Sequence, residues 1–164
     1  MLPLADERWG QLTTFFGKPE NVPKVLGEWL ASIGFDQEET IYQRDLFNLF
    51  LHQGTITNVA FAIVPWLVDV AKNGTTTYQV EYLADVAHVE ANRLTRGLYF
   101  NREGTEETPT WLMSDYHQAI VESRNLVDDT IDAVQNEERK RELVALKPAL
   151  YGNADLAWSQ WYSA

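Results

Sequence analysis

The chain has 164 residues, of which 45% are hydrophobic and 23% charged, the composition of an ordered globular protein and not of a disordered one. Its formal charge of −11 and pI near 4.6 argue against nucleic acid and anionic lipid as partners, since both need a basic surface. With no cysteine, neither a disulfide nor a thiolate metal site can brace the fold.

A chain of this length is expected to form one domain over residues 1–164, burying roughly 70% of the unfolded surface in a single core. The first ten residues carry Asp6, Glu7 and Arg8 where a signal peptide needs an apolar run. The longest apolar run, Val59 to Val68, falls short of the roughly 20 residues that span a bilayer. The expectation is a soluble cytoplasmic protein with no membrane contact.

Trp9, Leu12, Phe15 and Phe16 follow near-helical spacing before Gly17 and Pro19 interrupt it, predicting a short first helix. The next is predicted to start with Asn21 as its cap and Pro23 in its first turn. It runs through Val25, Leu26, Trp29, Leu30 and Ile33 to Gly34. From Asp36, with Glu38 and Glu39 at the favourable end of the helix dipole, Ile41, Tyr42, Leu46, Leu49 and Phe50 mark a buried face that ends at His52.

The stretch from Leu49 to Val70 organises the rest. His52-Gln53-Gly54-Thr55 reads as a tight turn between two helices, Gly54 closing the first in the left-handed conformation and Thr55 accepting from the first amides of the second. The run that follows is apolar at every position and must be covered on all sides. Pro65, inside it, predicts a bend near Phe61.

Beyond Asn73-Gly74, a helix opening at Thr75 to Thr77 places Val80, Leu83, Ala84, Ala87, Ala91 and Leu94 on one face and Glu81, Asp85, His88 and Asn92 on the other. Residues 97–108 form a long irregular segment with acids at Glu106 and Glu107, and such segments are often functional. Thr108 and Pro109 then begin a long helix with Leu112, Tyr116, Ala119, Val127, Ile131 and Val134 inward. A Glu137 to Leu146 helix packs Leu143, Val144 and Leu146 inward before Pro148 weakens it. Asn153 caps a last helix whose Leu156, Trp158, Trp161 and Tyr162 need a covering surface. No stretch reads as a strand, so the predicted fold is all-α, built of stacked antiparallel helix hairpins.

Two segments carry a family resemblance. Trp9 to Leu30, with Phe16-Gly17 ahead of Asn21-Val22-Pro23 and Leu26, and Leu46 to Leu67, with His52-Gln53-Gly54-Thr55 and Val64-Pro65-Trp66-Leu67, resemble a family of bacterial HEAT-repeat-like proteins. The resemblance covers the first half of the chain and implies a short HEAT-like α-solenoid. It implies no activity.

For chemistry the residues offer little. There is no Gly-x-Ser-x-Gly elbow or Ser/His/Asp order, and Gly97 and Gly104 lie too far apart to cradle a phosphate. No catalytic residue, metal or cofactor is therefore assigned. Glu81, Asp85, His88 and Asn92, with Glu106 and Glu107, form the candidate binding set, against the plain reading of a solvated helix face. His52, Gln53, Gly54 and Thr55 are read as a structural turn.

These observations favour a non-catalytic module that binds another protein, a basic one, of which an immunity protein neutralising a toxin or effector is the specific version. One alternative is a metal-assisted hydrolase using His52, His88 and His117 with Asp85 or Asp115. Another is a structural subunit of a homo-oligomer.

Overall fold

In the computed structural model, which describes residues 1–34, 44–52, 55–73, 76–95, 108–134 and 136–163, the apolar run beginning at Val59 becomes the helix α3 (Val59–Asn73). From Val59 to Val68 every side chain is buried except the half-buried Trp66, because a helix without a polar stripe is stable only when neighbours enclose it. Pro65 lies buried within its span.

Seven α-helices occur among the described residues. Ahead of α3 come α1 (Val22–Ser32) and α2, of which residues 44–50 are described; after it come α4 (Thr76–Thr95), α5 (Thr110–Ala133), α6 (Glu137–Leu150) and α7 (Ala154–Trp161). The protein is all-α. The large apolar cluster reaches from Leu2 to Leu150, and α4 packs against α3, α5, α6 and α7. No helix among the described residues is long and apolar enough to cross a membrane.

The predicted elements hold with local corrections. The first segment is a 3-10 turn over Glu7–Gln11 and not an α-helix. Beyond it the Phe15 amide donates to the Leu49 carbonyl at 3.1 Å, which ties Phe15 to the end of α2, and Phe16 is half exposed. Asn21 precedes α1 in a helical conformation and makes no side-chain cap bond, because a 3-10 turn over Pro19–Asn21 leads straight into the helix. The acids Asp36, Glu38 and Glu39 and the apolar Ile41 and Tyr42 lie outside the described residues.

The joint between α2 and α3 differs most. Helix α2 stops at residue 50, and Leu51–His52 (β1) pairs antiparallel with Thr55–Ile56 (β2), Leu51 opposite Ile56 and His52 opposite Thr55. Gln53 and Gly54 lie outside the described residues. Thr55 does not cap the next helix: its Oγ1 donates to the His52 carbonyl at 2.8 Å across the ribbon. The first amides of α3 turn to Thr57 and Asn58 instead, Ala60 donating to Thr57 O and Phe61 to Asn58 O.

Further along, α6 continues through Pro148 to Leu150, with Asn136 Oδ1 capping its first turn by accepting from Glu138 and Arg139. Leu143 and Leu146 are buried, but Val144 faces outward, and so does Leu94 at the end of α4. Asn153 caps α7 as predicted, its Oδ1 accepting from the Leu156 amide at 3.1 Å.

Candidate functional site

The four residues of the α4 stripe share a face, as their spacing requires, yet that face is largely covered, Glu81, Asp85 and His88 being half-buried and Asn92 buried. Its two halves meet different neighbours. At the N-terminal half, the Glu81 carboxylate pairs with Arg139 of α6 at 3.2 Å, and Arg139 also pairs with Glu142 at 3.1 Å. Burial pulls the Arg139 guanidinium pKa down, but Glu81, Glu142 and Asp85 together hold it above the ordinary arginine value. A groove of about 200 Å³ opens here, lined by Arg44, Phe47, Glu81, Asp85, Arg139 and Glu142 among others.

At the C-terminal half, α7 covers the stripe. The His88 ring meets Trp158 at 5.3 Å and Trp161 at 5.7 Å between centroids. Asn92 is fully buried. The predicted set therefore splits into a charged groove and a helix seam, and Glu106 and Glu107 lie outside the described residues.

The histidines named for metal chemistry go to separate places. His52, on β1, sits between Phe15 and Phe16 with ring centroids 5.7 and 5.1 Å away. His88 lies under α7, while His117 on α5 is exposed beside Tyr116. Among the described residues no three His, Asp or Glu side chains approach closely enough to share an ion.

Sequence reasoning missed a buried polar network between α4 and α5. Glu90 accepts two bonds from Arg93, at 2.6 and 2.8 Å, and a third from the Tyr116 phenol at 2.5 Å. Glu90 and Tyr116 are both buried. A bidentate guanidinium and a phenol together satisfy a carboxylate that burial would otherwise make costly. The signal was Glu90 itself, an acid set between Val89 and Ala91 where the apolar face should run.

Also missed was the outer face of α5. The helix carries five carboxylates, Asp115, Glu122, Asp128, Asp129 and Asp132, against one arginine, Arg124. All but the half-buried Glu122 are exposed. Arg124 is turned inward, donating to the Leu150 carbonyl at 2.6 Å. Asp132 stands in the last turn, where the helix dipole is already negative and there is no basic residue, and Asp128 and Asp129 lie just before it.

Asp115 and Glu122 continue into a cavity of about 310 Å³ between α3 and α5, which Asp69 and Lys72 also line. Asp128 is paired with Lys147, and Asp115 with the terminal ammonium at 2.6 Å. Glu122, Asp129 and Asp132 form no salt bridge among the described residues, and it is these three whose negative potential is left to the outer side of α5. Comparison with family models, curated proteins and solved structures gives no match for this chain.

Proposed function

We propose that this chain is a HEAT-like, non-catalytic module that binds a basic protein along the outer face of α5, the specific version being immunity-type neutralisation of a toxin or effector. The observation that carries the reading is the ratio of five carboxylates to one inward-turned arginine on α5, in a chain of net charge −11. A face of one sign accelerates encounter with a partner of the other and repels competitors. Asp132 also stands in the last turn of α5, at the negative end of the helix dipole, where a carboxylate costs about 0.3 to 1 kcal/mol.

The HEAT-like part draws support from the packing order. Helix α3 packs on α5 and α4 on α6, as well as each on its successor, the two-layer pattern in which helical hairpins stack. Such a scaffold presents a preformed surface and loses little order on binding.

The test compares capture of proteins from the host lysate by the unaltered chain and by the triple variant Glu122→Gln, Asp129→Asn, Asp132→Asn. A basic partner should be retained at low salt, released as ionic strength rises, and held about tenfold more weakly by the variant. Capture that ignores both salt and the three substitutions, or no capture at all, defeats the proposal.

A further inference from the structure

Helix α7 meets the rest of the protein through a seam unlike the main core. Ala91 of α4, Ala149 of α6 and Ala157 of α7 form a small cluster apart from the large one, with Trp158 beside it. Methyl groups bury little area each, so this cluster contributes less per residue than the branched and aromatic side chains around α3. Of α7, Trp161 packs against the large cluster, while Leu156 and Tyr162 point outward and Tyr162 is 70% exposed.

The α4 side of the seam is otherwise polar. His88 touches both tryptophans, and Thr95 Oγ1 accepts from Trp158 Nε1 at 2.9 Å. Residues 88, 91, 92 and 95 lie on one helical face, which places Asn92 in the same stripe. The Asn92 Nδ2 donates to the His88 carbonyl at 3.0 Å, but its Oδ1 is buried with no hydrogen-bond partner among the described residues. An amide oxygen stripped of water without a donor raises the free energy of the closed seam, and that penalty vanishes when water enters.

Two features make the cover separable. At eight residues, α7 is too short to persist as a helix once it leaves its neighbours, so release returns its conformational entropy. It hangs from α6 by a turn through Gly152, whose φ of +86° is strained for any other residue type.

We propose that α7 is a strap that lifts from α4 and α6 as one unit while the other helices stay folded, uncovering the His88, Asn92 and Thr95 stripe. Opening is a sub-global event of the kind that hydrogen exchange resolves.

Native-state amide exchange of the full chain, repeated at rising urea, tests it. Amides of α7 should exchange through an opening at least about 100-fold more populated than the one that exposes α3, and with weaker urea dependence. Asn92→Leu, which removes the orphaned oxygen, should raise α7 protection about tenfold. Trp158→Phe, which loses the bond to Thr95, should lower it several-fold and leave α3 unchanged. Equal protection and equal urea slopes for α7 and α3 would overturn the proposal. So would an Asn92→Leu variant in which α7 exchanges no more slowly than before.

Discussion

The phenol of Tyr116 on α5 donates to the Glu90 carboxylate on α4 at 2.5 Å, while Arg93, one turn beyond Glu90, grips the same carboxylate with two nitrogens. This joins the two helices through one carboxylate, whose countercharge comes from α4 and whose third bond comes from α5. The arrangement predicts an asymmetry between its members. Arg93→Ala leaves a buried carboxylate with no countercharge and should cost about 3 to 5 kcal/mol. Tyr116→Phe removes one bond to a charged group and should cost about 1.5 to 3 kcal/mol. Urea unfolding monitored by circular dichroism measures both, and equal losses would mean that the guanidinium adds nothing beyond a hydrogen bond.

The same contact makes stability sensitive to strong alkali. Burial, followed by the Glu90 charge and the bond to it, holds the Tyr116 phenol well above its ordinary pKa of 10.0. Above pH 10 the unfolded chain gives up this proton and the folded one keeps it, so folding stability falls as pH rises. The contribution is complete below the unfolded value and is lost on the way to the folded one. Ultraviolet titration should show one of the tyrosines ionising only with unfolding, and Tyr116→Phe should remove that step.

At the N-terminal end, the Arg8 guanidinium and backbone amide both donate to Asp6, which lowers its carboxyl pKa from 3.8 to about 2. Arg8 also lies over the Trp111 ring at 4.6 Å, so the pair pins the first turn against α5. Because the folded value is depressed, the stabilisation is present above the unfolded pKa and disappears as pH falls toward 2. A carboxyl carbon titration by NMR should find the Asp6 midpoint near the depressed value. In Arg8→Ala, which removes the guanidinium but keeps the backbone amide, it should rise toward the ordinary aspartate value.

Much of this architecture is written in local patterns. The unbroken apolar run of α3, the Asn153 cap and the inward stripe of α5 follow from spacing alone, and the acids at 128, 129 and 132 fall opposite that stripe once it is drawn, while those at 115 and 122 flank it. The α4 stripe misleads for a physical reason. A helix enclosed by four neighbours has no free side, so Tyr82, Val86 and Val89 are buried along with the predicted face. Whether Glu81 and His88 meet water or protein is decided by Arg139 and Trp158, more than fifty residues away. The residues flanking the turn at 52–55 pair as a β-ribbon, and spacing does not announce it, because a glycine at 54 suits a helix end and a two-residue β-hairpin equally well; the pairing of Leu51 with Ile56 and His52 with Thr55 separates them.

That joint yields a final prediction. Asn58 sits immediately ahead of α3, where its side chain would ordinarily serve its own helix, yet its Oδ1 accepts from the Thr13 amide at 2.7 Å, forty-five positions away. The Asn58 side chain is buried, so Asn58→Ala removes this bond along with the packing of the amide, and should destabilise by about 1 to 3 kcal/mol. Asn58→Asp keeps an acceptor in the same place and should recover much of the loss at neutral pH. The distinguishing readout is local: exchange of the Thr13 and Phe15 amides should quicken in the alanine variant while α5 remains protected. If α5 loosens in step with residues 13–15, the bond is one part of a global network and does not tether the N-terminal segment specifically.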